Sequence, residues 1–452
     1  MSKVLVIGAG LAGSEAAYFL ARHHVDVVLI ESKRVNKNPS QKLDSFAELV
    51  CTNSLKSLKP DTGHGLLKQE MESLGSLVLK VGKETAVPAG DALAVDREKF
   101  SRRITDILTE LKNVEIVDED VSNPHELIDK YKADHCIIAT GPLTTDNLSK
   151  WIQDDISNAD FYFYDAIAPV VDADSLDYSK LYFKDRHKPV SEEEGENADY
   201  LNAPMNQEQY EDFIKELQDA KKVPAQNFED YKFFESCLPV DIMAERGVDT
   251  ARFSCMKPIG LELPDGTLPY ACVQLRKENL LGSAFNLVGF QTRLTYSEQV
   301  RVFRKIPGFE NATFLHLGSV HRNSFLNSRE LLNFDLSSKK YSNISFAGQI
   351  TGVEGYTESA SMGLYVALQV LRKLNGLDIK SFPLETGIGA LVNYVMTVPK
   401  PTPSNINFGL LPPVTLTKEQ RRLRKERKKI KKGLASKRAQ ESFKDFYLEY
   451  RV

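Results

Sequence analysis

Three sets of residues in this 452-residue chain have types and spacing suited to chemistry. The first is the run Gly8, Ala9, Gly10, Leu11, Ala12 and Gly13, which follows the apolar residues 4–7, together with Glu31, which closes a second apolar run at 25–30. Gly8 permits a tight turn, Gly10 lets the backbone approach a pyrophosphate, and Gly13 lets a helix pack closely on a sheet. The helix N-terminus that follows presents free N–H groups to phosphates. Glu31, about 20 residues past the glycines, is placed to accept the hydroxyls of an adenosine ribose. Dinucleotide binding is the chemistry this set predicts.

The second set is the thiols. Cys51 and Cys237 lie in polar, Pro- and Gly-punctuated segments, and Cys237 precedes Leu238-Pro239 and a helix predicted at 240–245. A nearby cation or helix N-terminus would make either a strong nucleophile; the residues alone equally allow a small buried apolar side chain. Cys136, inside an apolar strand, and Cys272, in the alternating run 270–275, read as core, and Cys255 has no evident role. His321, in the triplet His321-Arg322-Asn323, is a candidate to contact a ligand ring, and Arg276, Arg293 and Arg301 are candidates for its anionic groups. The third set is basic. Residues 418–438 carry 12 Lys and Arg against two Glu, a local +10 that leaves −14 on the rest of a chain whose net charge is −4. Such a stretch on an acidic body suggests a nucleic-acid partner.

The elements that must position these groups follow from pattern. Residues 4–7, 14–22 and 25–30 read as strand, helix and strand, and 134–141 (DHCIIATG) as a buried strand whose Ala-Thr-Gly end passes Thr140 and Gly141 beneath a cofactor. Residues 65–74 read as an amphipathic helix, 86–97 as a Pro/Gly turn entering a helix that runs to 111, and 114–117 as a strand. The stretch 172–334 is too long for a loop in a compact protein and reads as an inserted α+β domain. At 344–349 a strand returns, followed by Gly348, Gly352 and Gly355 and a long helix at 357–374, which predicts a second wall of the same cofactor site. The expected division is a first part of a dinucleotide-binding domain at 1–171, the insertion at 172–334, the second part at 335–416, and a basic extension at 417–452 whose helical charges circle most of its axis.

Five cysteines without CxxC spacing argue against a zinc site and a disulfide framework. There is no apolar run near the roughly 18 residues needed to span a membrane. The expectation is a cytoplasmic protein that engages no metal and no membrane.

Several stretches together resemble the folate- and FAD-dependent RNA (uracil-5-)-methyltransferases. They are VIGAGLAGSEAA (6–17), ELVCTNSLKS (48–57), VPAGDALAVDR (87–97), IIATGPLT (137–144), FYDAIAPVVD (163–172), YLNAPM (200–205), FESCLPVDIMAERG (234–247), VQLRKEN (273–279), NLVGFQT (286–292), HRNSFLNS (321–328), FAGQITGVEGYTESA (346–360) and NFGLLPP (407–413). The resemblance implies an α/β protein with a Rossmann-like FAD-binding domain of the two-dinucleotide-fold type and an inserted α+β domain. It implies transfer of a one-carbon unit from 5,10-methylenetetrahydrofolate to C5 of a uridine in transfer or ribosomal RNA, with reduction through FAD by NADPH or NADH. By motif, Cys237 matches the cysteine that acts on the uracil, Cys51 a second cysteine near the flavin, and His321 a candidate on the far face of the folate. Two other readings stand beside it: a flavoprotein that modifies a wobble uridine of transfer RNA, and an RNA-binding flavoprotein without methyltransferase activity.

Overall fold

The computed structural model describes residues 2–38, 40–156, 162–166, 168–187, 198–223, 238–278, 282–318, 320–399, 403–423 and 426–451. A five-stranded parallel sheet runs in the order Ile344–Phe346, His135–Ile138, Lys3–Ile7, Asp26–Glu31, Val114–Asp118. The four strands other than the edge strand Val114–Asp118 are buried, near-continuous apolar runs, as in a parallel sheet covered on both faces. The first strand lies at the centre and the chain builds outward from it on both sides, so the strand order reverses there; ligands of open α/β sheets bind at that point, beyond the carboxyl ends of the strands.

Two helices are pinned to each other over this sheet. Leu11–Arg22 follows the first strand and Tyr356–Leu374 follows the last. They cross where Gly363 meets Ala12, so closely that a Cβ on Gly363 would overlap the Ala12 carbonyl. Residues 86–97 depart from expectation: Ala86–Val87 and Ala92–Val95 are antiparallel strands completed by Ser54–Ser57, and the helix begins only at Arg97. The Pro-Ala-Gly-Asp turn is a hairpin tip, and the alternation of Ala92 to Val95 that marks a strand is masked by its small residues. The helices Leu77–Glu84 and Pro124–Tyr131 were not anticipated either.

The second core is built on a six-stranded sheet, in the order Tyr182–Phe183, Tyr200–Met205, Ala271–Lys277, Ala284–Leu287, Val170–Asp172, Phe314–His316. One face carries Val171, Leu201, Val273, Leu275, Phe285 and Leu287, packed under the helices Gln207–Asp219 and Tyr296–Phe303. The strands Tyr162–Ala166 and Val320–Ser324 pair antiparallel, so the outgoing and returning chain form one two-stranded ribbon. Apolar residues from Leu326 onward belong to the first core.

The C-terminal helix Arg427–Tyr450 is not charged all round. Ala435, Ala439, Phe443 and Tyr450 recur at helical spacing and are buried against the first core. Phe382 packs against Phe443, Phe446 and Tyr450, and the Arg372 guanidinium sits 3.8 Å over the Tyr450 ring.

Two fully buried carboxyls cap helices of other segments. Glu15 accepts from the Ser76 hydroxyl and from the N–H groups of Leu77 and Val78, and Glu70 accepts from the N–H groups of Gly387 and Ile388 at 2.7 and 2.9 Å. Burial outweighs these bonds and pushes the carboxyls up to about 7 and about 8 respectively. The folded chain therefore holds protons that the unfolded chain has released, and stability falls as pH rises from the ordinary carboxyl range to about 7 for Glu15 and about 8 for Glu70. Glu70→Gln should flatten the decline of the thermal midpoint between pH 5 and 8 relative to wild type; an unchanged slope would show that Glu70 is not the titrating group.

A dinucleotide cradle and a second, cationic cleft

At the carboxyl ends of the central strands lies a cavity of about 320 Å³, lined among others by Gly8, Gly10, Glu31, Asp120, Thr140 and Asp146. The glycine turn has the expected construction. Gly8 adopts φ +96° and its N–H donates to the Ile30 carbonyl at 2.7 Å, and a Cβ on Gly13 would overlap the Gly8 carbonyl. Beside Gly10, the residue that caps the Leu11–Arg22 helix, a Cβ would meet nothing within 4 Å, which leaves room for a phosphate against the helix N-terminus. Glu31 is tied across this turn. One carboxylate oxygen accepts the Ala9 N–H at 2.7 Å and the other the Lys33 N–H at 2.9 Å, and each keeps a further lone pair for ribose hydroxyls.

Thr140 joins this cavity, its hydroxyl 2.7 Å from that of Thr144, and Gly141 follows with φ +70°. Gly348 packs on Ala12, with 2.7 Å between a Cβ added there and that of Ala12, which brings the last strand's loop against the first helix. Gly352 and Gly355 do not line the cavity; Gly352 lies by Phe325 and Val395, and Gly355 introduces the Tyr356–Leu374 helix.

That helix links the cradle to Cys51. Its first side chain, Tyr356, accepts the Cys51 N–H at 2.7 Å and the Thr52 N–H at 3.1 Å through its hydroxyl oxygen. The six-stranded sheet grips the same segment from the other side. Arg276 donates to Asn53 Oδ1 at 2.8 Å and to Thr52 Oγ1 at 2.5 Å, and Asn53 Nδ2 donates to the Lys277 carbonyl at 3.0 Å. Arg97 completes the cluster, held by Glu278 at 2.8 Å and by the Leu49 carbonyl at 3.1 Å. Burial lowers the Arg276 guanidinium from its ordinary range and opposes the charge on Arg97, which is nonetheless raised because Glu278, Tyr356 and Cys51 face it. Lys42 touches His316 at the same junction; burial and the neighbouring Arg97 lower Lys42, and burial, Lys42 and Arg97 lower His316. The arrangement places the Cys51 segment between two cores with the Arg97 guanidinium facing its thiol, and a nearby cation favours a thiolate.

The other sequence candidates fall differently. Cys237 lies outside the described residues. His321 is in the strand Val320–Ser324, its backbone opposite Asp165, and its side chain lies outside the described residues. Burial pushes Cys136, Cys255 and Cys272 up to about 12, which holds all three as neutral thiols. Arg293 is bound to Asp241 at 2.6 Å and Glu245 at 2.6 Å, and Arg301 to Glu298 at 2.6 Å and to Glu216, so these two stabilise their own core. Arg97, Glu278 and Tyr356 were not singled out in the sequence; all three sit inside quoted motifs, but only the fold shows that they meet. Among the described residues no group of His, Cys, Asp and Glu is arranged to hold a metal ion, and no helix is long and apolar enough to cross a membrane.

Fold and cradle together define an α/β flavoprotein with a Rossmann-like FAD-binding domain. Comparison with known proteins agrees and narrows the class. Residues 3–378 match the family model of glucose inhibited division protein A. Among solved structures, GidA of Aquifex aeolicus superposes with TM-score 0.67 at 16% identity, over 98% of this chain and 76% of that one, which is a likeness of fold. The methylenetetrahydrofolate–tRNA-(uracil-5-)-methyltransferase TrmFO of Persephonella marina is 48% identical over 94% of this chain and 95% of its own length. The same enzyme of Natranaerobius thermophilus is 45% identical over 98% and 99%. The chain belongs to this family of folate-dependent tRNA (uracil-5-)-methyltransferases.

The cradle makes a direct prediction. Gly13→Val should drive the first helix off the glycine turn, and the purified protein should lose its bound flavin and its yellow colour; Glu31→Gln, which keeps one acceptor oxygen, should weaken FAD binding about tenfold, as for one lost charged hydrogen bond. Full flavin occupancy in Gly13→Val, measured by absorbance after gel filtration, would place the dinucleotide elsewhere.

Proposed function

We propose that this protein transfers the one-carbon unit of 5,10-methylenetetrahydrofolate to C5 of a uridine in RNA, with transfer RNA the substrate that its relatives' names favour over ribosomal RNA. The observation that carries the reading is the pairing of a dinucleotide cradle with a cation-lined cysteine cleft through one helix, in a chain 44–48% identical to enzymes named for that activity. When bound, FAD reduced by NADPH or NADH supplies the hydride that turns the transferred carbon into a methyl group. Gly8, Ala9, Gly10, Leu11, Ala12, Gly13 and Glu31 hold its adenosine and pyrophosphate, with Thr140, Gly141 and Gly348 beside them and Gly352 and Gly355 toward its ring.

Uracil C5 is a poor nucleophile. A cysteine thiolate that adds at C6 moves the C5=C6 electron pair toward C5 and O4, and C5 then attacks the one-carbon unit; loss of the C5 proton expels tetrahydrofolate as the carbon–nitrogen bond breaks and leaves a methylene on C5, and hydride addition to that methylene with departure of the thiolate from C6 restores the C5=C6 bond. Cys237 is assigned this addition. Cys51, fixed by Tyr356 and facing Arg97, is the second catalytic thiol, and His321 is assigned to the folate. The division into a split FAD-binding domain at 1–171 and 335–416, an insertion at 172–334 and an extension from 417 is part of the same proposal, as is a cytoplasmic setting.

RNA phosphates meet the basic segment 418–438. Its anchored helix turns Arg427, Lys429, Lys431 and Lys437 to solvent, whereas Arg438 donates to the carbonyls of Pro412 and Pro413 and clamps its own domain. The alternative of wobble-uridine modification is disfavoured by the names of the relatives that cover the whole chain.

Two measurements test the reading. Purified protein given labelled methylenetetrahydrofolate, NADPH and transfer RNA should produce 5-methyluridine, and Cys237→Ala and Cys51→Ala should each lower that rate by at least about 100-fold while keeping flavin; no methylated uridine in transfer or ribosomal RNA would refute it. Replacing Lys429, Lys431 and Lys437 by Ala should weaken RNA binding and reduce the slope of log affinity against log salt by about 2 to 3, and a slope equal to wild type would remove the segment from the interface.

A further inference from the structure

Strand pairing in the six-stranded sheet sets Tyr200 opposite Arg276, Arg276 opposite Asn286, Asn286 opposite Val170 and Val170 opposite His316. Directly paired residues project from the same face of a sheet. Their neighbours Leu201, Leu275, Phe285, Leu287 and Val171 point the other way, into the second core. Arg276 fixes the direction of the row, because its guanidinium reaches Thr52 and Asn53 beside Cys51. Asn286 thus lies on the face that meets the Cys51 segment.

Asn286 is 3% exposed, and its Nδ2 has no hydrogen-bond partner among the described residues. A buried donor left unsatisfied is unfavourable, because it has lost its water without gaining a partner. Arg276 next to it is buried, hydrogen-bonded to the oxygens of Asn53, Thr52 and Tyr200, with the Glu278 carboxylate, already held by Arg97, its charged neighbour of opposite sign. The wall therefore offers donors and positive charge and asks for an acceptor that becomes anionic. Uracil O4 has that character, since the electron pair displaced from C5=C6 on thiolate addition is delocalised onto it.

We propose that Asn286 donates from Nδ2 to O4 of the target uracil, with Arg276 beside it, so that this pair both selects uracil against cytosine and stabilises the charge O4 gains. The inference rests on the uridine-methylation reading. Cytosine carries an amino donor at position 4, which would face the Asn286 donor with no acceptor between them. Flavin and folate rings also carry carbonyl oxygens, so their binding is measured alongside.

The test uses the FAD-loaded full-length enzyme with labelled methylenetetrahydrofolate, NADPH and two transfer RNA transcripts, one with the mapped target uridine and one with cytidine there. Asn286→Ala should lower kcat/KM for the uridine transcript about 100-fold, the loss typical of one donor to a developing oxyanion, with unchanged FAD content and folate affinity. Asn286→Asp, whose carboxylate is kept ionised by Arg276, should lose uridine activity to the same degree and gain label in the cytidine transcript. Variants with wild-type rates on uridine, or whose loss tracks a loss of FAD or folate binding, would overturn the assignment and leave the methyltransferase reading intact. A wild-type enzyme that labels no uridine would overturn both.

Discussion

The structure turns on one close approach of backbones. At the start of the Leu11–Arg22 helix, Gly13 lies on the Gly8 carbonyl, Gly348 on the Ala12 side chain and Gly363 on the Ala12 carbonyl. No side chain fits at these points. With them bare, the first helix settles onto the glycine turn so that its N-terminus opens on the cavity, and the Tyr356–Leu374 helix lies directly against it. From Gly363 to Tyr356 is seven residues, about 10 Å of helix. A stiff rod of that length sets how far the hydroxyl that holds Cys51 stands from the turn that holds the dinucleotide.

The other side of the Cys51 segment is held by a different core. Arg276 and the Lys277 carbonyl reach across from the six-stranded sheet to Thr52 and Asn53, and Glu278 reaches to Arg97 at the start of a helix of the first core. Any shift of the second core relative to the first would therefore move the cysteine segment with it. The two-stranded ribbon of Tyr162–Ala166 and Val320–Ser324 is the covalent passage between them, and its antiparallel pairing shortens what would otherwise be two separate linkers.

Local pattern carried the cradle into view from sequence. The glycine run, Glu31 and the Ala-Thr-Gly strand end each depend on residues within about one supersecondary unit, so spacing alone identifies them. The cleft was not legible in the same way. Arg97, Arg276, Tyr356 and Cys51 come from four separate stretches, and their meeting depends on how two sheets face one another. The hairpin at 86–95 was hidden because small residues at Ala92 and Ala94 give a weak alternation signal, and the buried stripe of the C-terminal helix was hidden by the charged residues that precede and interrupt it, Lys431, Lys432, Lys437, Arg438 and Glu441. Arg293 and Arg301 show the converse error: arginines in a promising half of the chain are spent on local carboxylates.

Comparison of the buried polar groups separates architecture from function. Glu15 and Glu70 are fully interior, yet each carboxyl accepts at least two helix N-terminal N–H bonds, the usual way in which a fold satisfies a group that it encloses. Arg276 and Asn286 are enclosed to a similar degree, but one hydrogen-bonds to neutral oxygens, with Glu278 nearby committed to Arg97, and the other leaves a donor without a partner among the described residues. Other buried side-chain atoms, among them Asp120 Oδ1, His125 Nε2 and Asn327 Oδ1, also lack a partner, so it is the place of Asn286 on the Arg276 row, and not the missing bond alone, that points to a ligand. One unspent donor, Asn286 Nδ2, beside the guanidinium that reaches the Cys51 segment is the physical reason to place the acceptor of the reaction there.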